Sequence, residues 1–102
     1  MRVISRKTLR EFWRRHPDAE GPLQDWFTVT EAANWRTLIE VRRTFASADP
    51  VSVASGNTVT VFNVGGNKYR LVAAIHYNTG NVYALMVLTH AAYGTGRWKE
   101  NL

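Results

Sequence analysis

The sequence has no cysteine, which removes disulfide frameworks, thiolate metal sites and cysteine nucleophiles together. It also has no long apolar run. Stretches such as Ala84–Leu88 fall far short of the ~20 residues needed to span a bilayer. The start, Met1-Arg2-Val3-Ile4-Ser5-Arg6, is basic but lacks the apolar stretch of a signal peptide. A soluble domain in the cytoplasm, with no membrane partner, is the expectation. Acidic residues are missing in one place above all, since no Asp or Glu lies between Asp49 and Glu100. That stretch cannot build a two-metal site, because hard cations need several oxygen ligands. His16, His76 and His90 lack zinc-site spacing, so neither a metal nor another cofactor is expected.

What is present suits one small folded domain covering residues 1–102. Hydrophobic residues make up 45 % of the chain and charged ones 21 %, too apolar a balance for intrinsic disorder. The net charge of +5 is unevenly spread. Residues 1–17 hold six basic side chains against one acid, residues 18–60 three against six, and residues 61–102 four against one. Basic ends around an acidic middle are the footprint of a polyanion partner, most often nucleic acid.

Val3-Ile4 can form a short strand, and Ser5 is placed to cap a helix running to about His16. Leu9, Phe12, Trp13 and His16 recur at helical spacing and mark its buried face. Arg6, Arg10 and Arg14 form a ridge on another face, either plain solvated surface or a contact for RNA backbone. Pro17 ends the helix. Pro22 suits the first position of a second helix carrying Leu23, Trp26, Phe27 and Thr30. A shorter helical pattern runs through Leu38, Ile39, Arg42 and Phe45, followed by an expected loop over Ala46–Pro50. The pattern then turns to β, with strands expected at Val59–Val64, Lys68–Tyr77 and Val82–Thr89, and turns at Gly65-Gly66-Asn67 and Asn78–Asn81. The expected fold class is α+β, a small antiparallel sheet with two to three N-terminal helices packed on one face.

Along the middle strand, alternation puts Tyr69, Leu71, Ala73, Ile75 and Tyr77 on one face. Lys68, Arg70, Val72, Ala74 and His76 fall on the other. The second set is either an exposed, charge-decorated face or the wall of a site. His90 follows the last strand, with Tyr93 three residues on and Arg97 and Lys99 in the tail. A four-residue turn would pair Tyr69 with His90 and send His90 to the core. A one-residue bulge, or a chain that turns after Thr89, would bring it round to Arg70. His, Tyr, Lys and Arg without carboxylates do not make the oxygen-rich site of a two-metal nuclease. They can supply acid–base groups and positive charge for RNA, whose 2′-OH attacks its own phosphate.

The run Val61-Phe62-Asn63-Val64-Gly65-Gly66-Asn67-Lys68-Tyr69-Arg70-Leu71-Val72, then Tyr83, Thr89-His90-Ala91 and Tyr93, resembles the HigB family of toxins in the RelE-like superfamily. Val3-Ile4-Ser5, Trp26, Trp35 and Phe45–Pro50 fit the same pattern. The resemblance implies an endoribonuclease (an mRNA interferase) that inhibits translation, acting at the ribosome and neutralised by a HigA-like helix-turn-helix antitoxin. It implies that His90, Arg70, Lys68 and Tyr93 are catalytic. The basic ends of the chain and the Lys68–His76 strand face make Asn67, His76, Arg97, Lys99, Arg6, Arg10 and Arg14 the expected RNA contacts. Where the family pattern reads T-H-x-E-Y-D, this chain has Thr89-His90-Ala91-Ala92-Tyr93-Gly94. Loss of both acids implies lowered activity. The alternatives are a non-catalytic RNA- or ribosome-binding inhibitor and a module serving mainly to bind the antitoxin.

Overall fold

Alternating Val, Thr and aromatic residues between Thr58 and Thr89 favour pleated, half-buried strands, and in the computed structural model, which describes residues 1–102, they form the centre of a five-stranded sheet. The elements are β1 (Arg2–Ile4), α1 (Arg6–Arg15), α2 (Glu20–Ala32), α3 (Leu38–Thr44), β2 (Asp49–Ser52), β3 (Thr58–Val64), β4 (Tyr69–His76), β5 (Asn81–Thr89) and α4 (His90–Gly94). Single 3₁₀ turns lie at Pro17–Ala19 and Arg97–Asn101. The strand order is β1-β5-β4-β3-β2, with β1 parallel to β5 and every other pair antiparallel. The α+β class and the N-terminal helices on one face hold, while the expected antiparallel sheet is mixed, because the chain leaves β1 through α1 and β1 joins the edge of β5 in parallel.

Local chemistry departs from expectation at three points. Ser5 stands at the start of α1 but adopts φ 74°, the left-handed region, and its side chain caps nothing. The sharp exit from β1 dictates that conformation, and the Ser5 carbonyl alone receives Thr8 N–H at 2.9 Å. Pro22 is the third residue of α2, not its first. It still falls in the first turn, where a missing N–H costs nothing. Asp49-Pro50 is an edge strand rather than a loop, pairing Asp49 with Val61 and Pro50 with Thr60. An edge tolerates proline because only one of its sides is bonded.

The larger core lies between the sheet and the helices. Leu9 and Phe12 of α1, Leu23 and Trp26 of α2 and Val41 of α3 meet Phe62, Leu71, Ala73 and Val82 there. Phe62, 1 % exposed, is ringed by Trp26, Trp35 and Phe45 at centroid distances of 5.5, 6.3 and 5.3 Å. The opposite face is covered too. Val53, Val59, Val61 and Val72 pack under Trp98, which the 3₁₀ turn after α4 brings back over the sheet. The backbone N–H of Ala54 donates to the Lys99 carbonyl at 3.1 Å and ties this tail down. Replacing Phe62 by Ala should lower unfolding free energy by about 3–5 kcal/mol. Denaturant titration checks this, and a loss below about 1 kcal/mol would mean the aromatic ring closes over the gap.

Candidate active site

The position of His90 is decided by register. The turn closes on His76 opposite Asn81, and the pairing then slips by one residue between Val72 and Ala73, leaving Leu85 as the extra residue of β5. Thr89 therefore faces Tyr69. The chain turns at that point, because the Thr89 side chain accepts from Ala92 N–H at 3.1 Å and caps α4. His90 N–H donates to the Lys68 carbonyl at 2.9 Å. Its imidazole Nδ1 lies 3.2 Å from Nη2 of Arg70. Both devices expected to bring His90 to Arg70, a bulge and a turn after Thr89, operate together.

Arg70 is 9 % exposed, a charge the fold must satisfy if it is to be buried. Its Nη1 donates to the carbonyls of Asn67 at 3.2 Å and Tyr69 at 3.1 Å. Its Cζ lies 5.6 Å from the Tyr93 ring centre, and that ring stacks on Trp98 at 5.3 Å. Trp98 Nε1 in turn donates to the Tyr93 carbonyl at 3.1 Å. A guanidinium can only donate, so Nδ1 accepts and the neutral ring carries its proton on Nε2. His90 itself is exposed, open to a substrate. Burial pushes the Tyr93 phenol above its ordinary range, the charge of Asp49 adds to this, and Arg70 opposes it. Tyr93 is therefore a hydroxyl donor at neutral pH.

Lys68 does not share that face. It lies in the β3–β4 turn, before β4 begins, and its ammonium meets the Asp18 carboxylate at 2.8 Å on the helical side of the sheet. The other Asp18 oxygen accepts from the Tyr69 hydroxyl at 2.6 Å. A turn residue does not follow strand alternation, which is why the shared-face expectation fails for Lys68. His76 is also apart. It ends β4 six residues from Arg70, roughly 20 Å away, and packs its ring against Tyr83. Asn67 sits in the turn, its carbonyl on Arg70 and its Oδ1 accepting from Asn63 Nδ2 at 3.4 Å. Arg97 and Lys99 flank Trp98 beside α4, with Lys99 Nζ 5.8 Å from the Trp98 ring. Arg6, Arg10 and Arg14 are exposed on α1, across the sheet from Arg70, and Arg6 lies over the Phe27 ring at 4.5 Å.

Beside Arg70 the surface opens into a cleft of about 610 Å³ whose walls include Arg42, Ser47, Asp49, Asn63 and Tyr93. Arg42, Ser47 and Asp49 escaped the sequence reading because their approach depends on β2 joining the sheet edge. Asp18 escaped it because nothing local links it to residue 68. No three His, Asp or Glu side chains converge as a metal-ligand cluster.

A small α+β protein with a basic, acid-poor site on the sheet face opposite α1 and α2 is thus defined. The family model of HigB_toxin, the RelE-like toxic component of a toxin–antitoxin system, matches residues 19–96. The chain belongs to the HigB toxin family, and a toxin of this kind has an antitoxin partner. It is also similar to the mRNA interferase HigB of Escherichia coli O6:H1, 27 % identical over 103 residues, covering 99 % of this chain and 98 % of that one. It is 26 % identical over 93 residues to the mRNA interferase toxin HigB of Escherichia coli strain K12, covering 91 % and 88 %.

The Asp18 clasp generates a prediction. Bonds from Lys68 and then Tyr69 hold the Asp18 carboxyl below the usual carboxylate range. A depressed native pKa stabilises the fold above the unfolded value, ~3.9, and that contribution disappears as pH falls through the native value. Asp18→Asn should therefore show a smaller Tm decline than the natural chain from about pH 5 to about pH 2. It should also speed hydrogen exchange at the His90 amide, whose acceptor is the carbonyl of Lys68. Parallel acid profiles with unchanged exchange would show that the turn needs no clasp.

Proposed function

We propose that this chain is a metal-independent endoribonuclease that cuts mRNA, a toxin whose 1–102 domain acts as one unit. The observation that carries the reading is the 3.2 Å contact between Arg70 Nη2 and His90 Nδ1, a buried donor fork against an exposed imidazole. The printed names of the two Escherichia coli relatives, both mRNA interferases, support it.

The geometry suggests a sequence of events. A phosphate arriving beside Arg70 offers oxygens that compete for Nη2, and the guanidinium turns to it because charge-assisted bonds to phosphate are stronger than one to a neutral ring. Nδ1 of His90 is then free to take the proton of the RNA 2′-hydroxyl as that oxygen attacks phosphorus. The imidazolium so formed returns a proton to the departing 5′-oxygen. Arg70 stabilises the negative charge that builds on the equatorial oxygens, and Tyr93 adds a hydroxyl donor. Of the side-chain types at the site, imidazole is the one suited to both taking and returning a proton in general acid–base catalysis.

The basic ridge of α1 faces away from the cleft, so a single strand in the cleft does not also cover the ridge. A larger polyanion does, which favours the ribosome as the docking platform for Arg6, Arg10 and Arg14. Arg97 and Lys99 hold RNA backbone close to the cleft. A HigA-like helix-turn-helix antitoxin is the partner that silences the toxin, in the cytoplasm.

Arg70→Ala should reduce cleavage by about 10²–10³-fold, and Arg70→Lys should recover only part of it, since an ammonium does not reproduce the guanidinium fork. His90→Ala should abolish cleavage with thermal stability and antitoxin binding nearly intact. Primer extension on a message after brief induction reads all three. Undiminished cutting in either alanine variant would end the assignment. RNA binding by the natural chain with an uncut message would favour the non-catalytic inhibitor, a reading that draws on Ala92 and Gly94.

Gly94 offers a test in the opposite direction. A Cβ there meets nothing within 4 Å, and its φ lies outside the left-handed region. Gly94→Asp is therefore expected to fold normally and to cut faster than the natural chain in the same assay. Equal or slower cutting would mean that an acid at this position contributes nothing here.

A further inference from the structure

We propose that the cleft beside Arg70 is a base-reading subsite selective for guanine, with Asp49 as the residue that selects it; this rests on the nuclease reading above. Residues directly opposed in a sheet share a face. Asn63 opposes Arg70, and Asp49 opposes Val61, which in turn opposes Val72. Two adjoining rows on the Arg70 face thus run outward from the reaction centre, one ending at Asn63 and the other at Asp49 on the sheet edge. The cleft they floor, about 610 Å³, falls within the ~300–1,000 Å³ usual for small-ligand sites. Arg70 forms part of its wall and His90 does not, so it takes a group adjoining the scissile phosphate rather than the phosphate itself.

The charge at Asp49 is out of place for a surface that only holds phosphate. Lys7–Glu11 and Lys68–Asp18 are the ion pairs of this fold, and Asp49 is in neither. An unpaired carboxylate beside a phosphate-binding arginine repels the backbone, so its presence calls for a ligand with donors. A carboxylate offers acceptors alone. Guanine is the one base whose pairing edge presents two adjacent donors, N1–H and N2–H, matched to the two carboxylate oxygens. Adenine and cytosine place one amino donor next to a bare ring nitrogen, and uracil places one N–H between two carbonyls. The opposite needs of guanine, at O6 and N7, suit a guanidinium. Arg42 stands in the same wall with Nε anchored to the Ala48 carbonyl at 3.0 Å, a bond that does not use its two terminal nitrogens.

The test uses the natural chain and Asp49→Asn, an exposed substitution on an edge strand. GMP, AMP, CMP and UMP are titrated separately by NMR, and cut sites are mapped on a message containing every dinucleotide step. GMP should bind the natural chain at least about 5-fold more tightly than the other three, and Asp49→Asn should erase the difference while leaving AMP affinity unchanged. Cuts should adjoin G in the natural chain and spread to other bases in the variant. Equal affinity for all four nucleotides, or a preference that survives Asp49→Asn, overturns the proposal. Loss of cutting at every site alike, with GMP preference retained, overturns it as well and makes Asp49 part of the reaction. GMP selectivity in a natural chain that cuts no RNA supports the pocket and rejects the nuclease reading.

Discussion

The arrangement depends on how a guanidinium is buried. Arg70 sits 9 % exposed in a sheet, where a charge without partners costs several kcal/mol. Three consecutive residues supply the answer. The carbonyls of Asn67 and Tyr69 bind Nη1, and the carbonyl between them, that of Lys68, receives the His90 amide. One turn therefore orients both the arginine and the histidine. The glycines before it, Gly65 and Gly66 at φ 64° and 69°, let the chain curl tightly enough to aim these carbonyls.

That turn is held from both faces of the sheet. On the helical side Asp18 binds Lys68 and Tyr69, so the acidic middle of the chain fastens the basic end. On the other side the Tyr93 ring lies over Arg70 and is itself backed by Trp98. Lys68 thus belongs to the support of the site, and its ammonium charge is spent on Asp18. The segment from 50 to 99 has no acid of its own, and the cleft draws its carboxylate, Asp49, from the neighbouring edge strand. Sheet topology mixes charges that the linear sequence keeps apart.

Much of this was legible beforehand. Helical spacing in Leu9, Phe12 and Trp13, alternation through β3 to β5, and the G-G-N turn carry strong local periodicity, and the F-N-V-G-G-N-K-Y-R and T-H-A-A-Y runs carry the family. The failures are non-local. Nothing in Asp49-Pro50 announces a strand, because pairing with β3 creates it. Register was open between two arrangements, since one extra residue at Leu85 reverses which face His90 meets. Nothing local announces the burial of Trp98, which depends on the chain doubling back after α4. Lys68 was placed by alternation one residue before alternation starts.

In the proposed mechanism RNA supplies its own nucleophile to an Arg–His pair, and that can be measured at one atom. A message bearing a single 2′-deoxynucleotide at a mapped cut site should resist cleavage there. The all-ribose message should yield a 2′,3′-cyclic phosphate and a 5′-hydroxyl. Cutting of the deoxy-substituted message at the same rate, with a 5′-phosphate on the product, would contradict it.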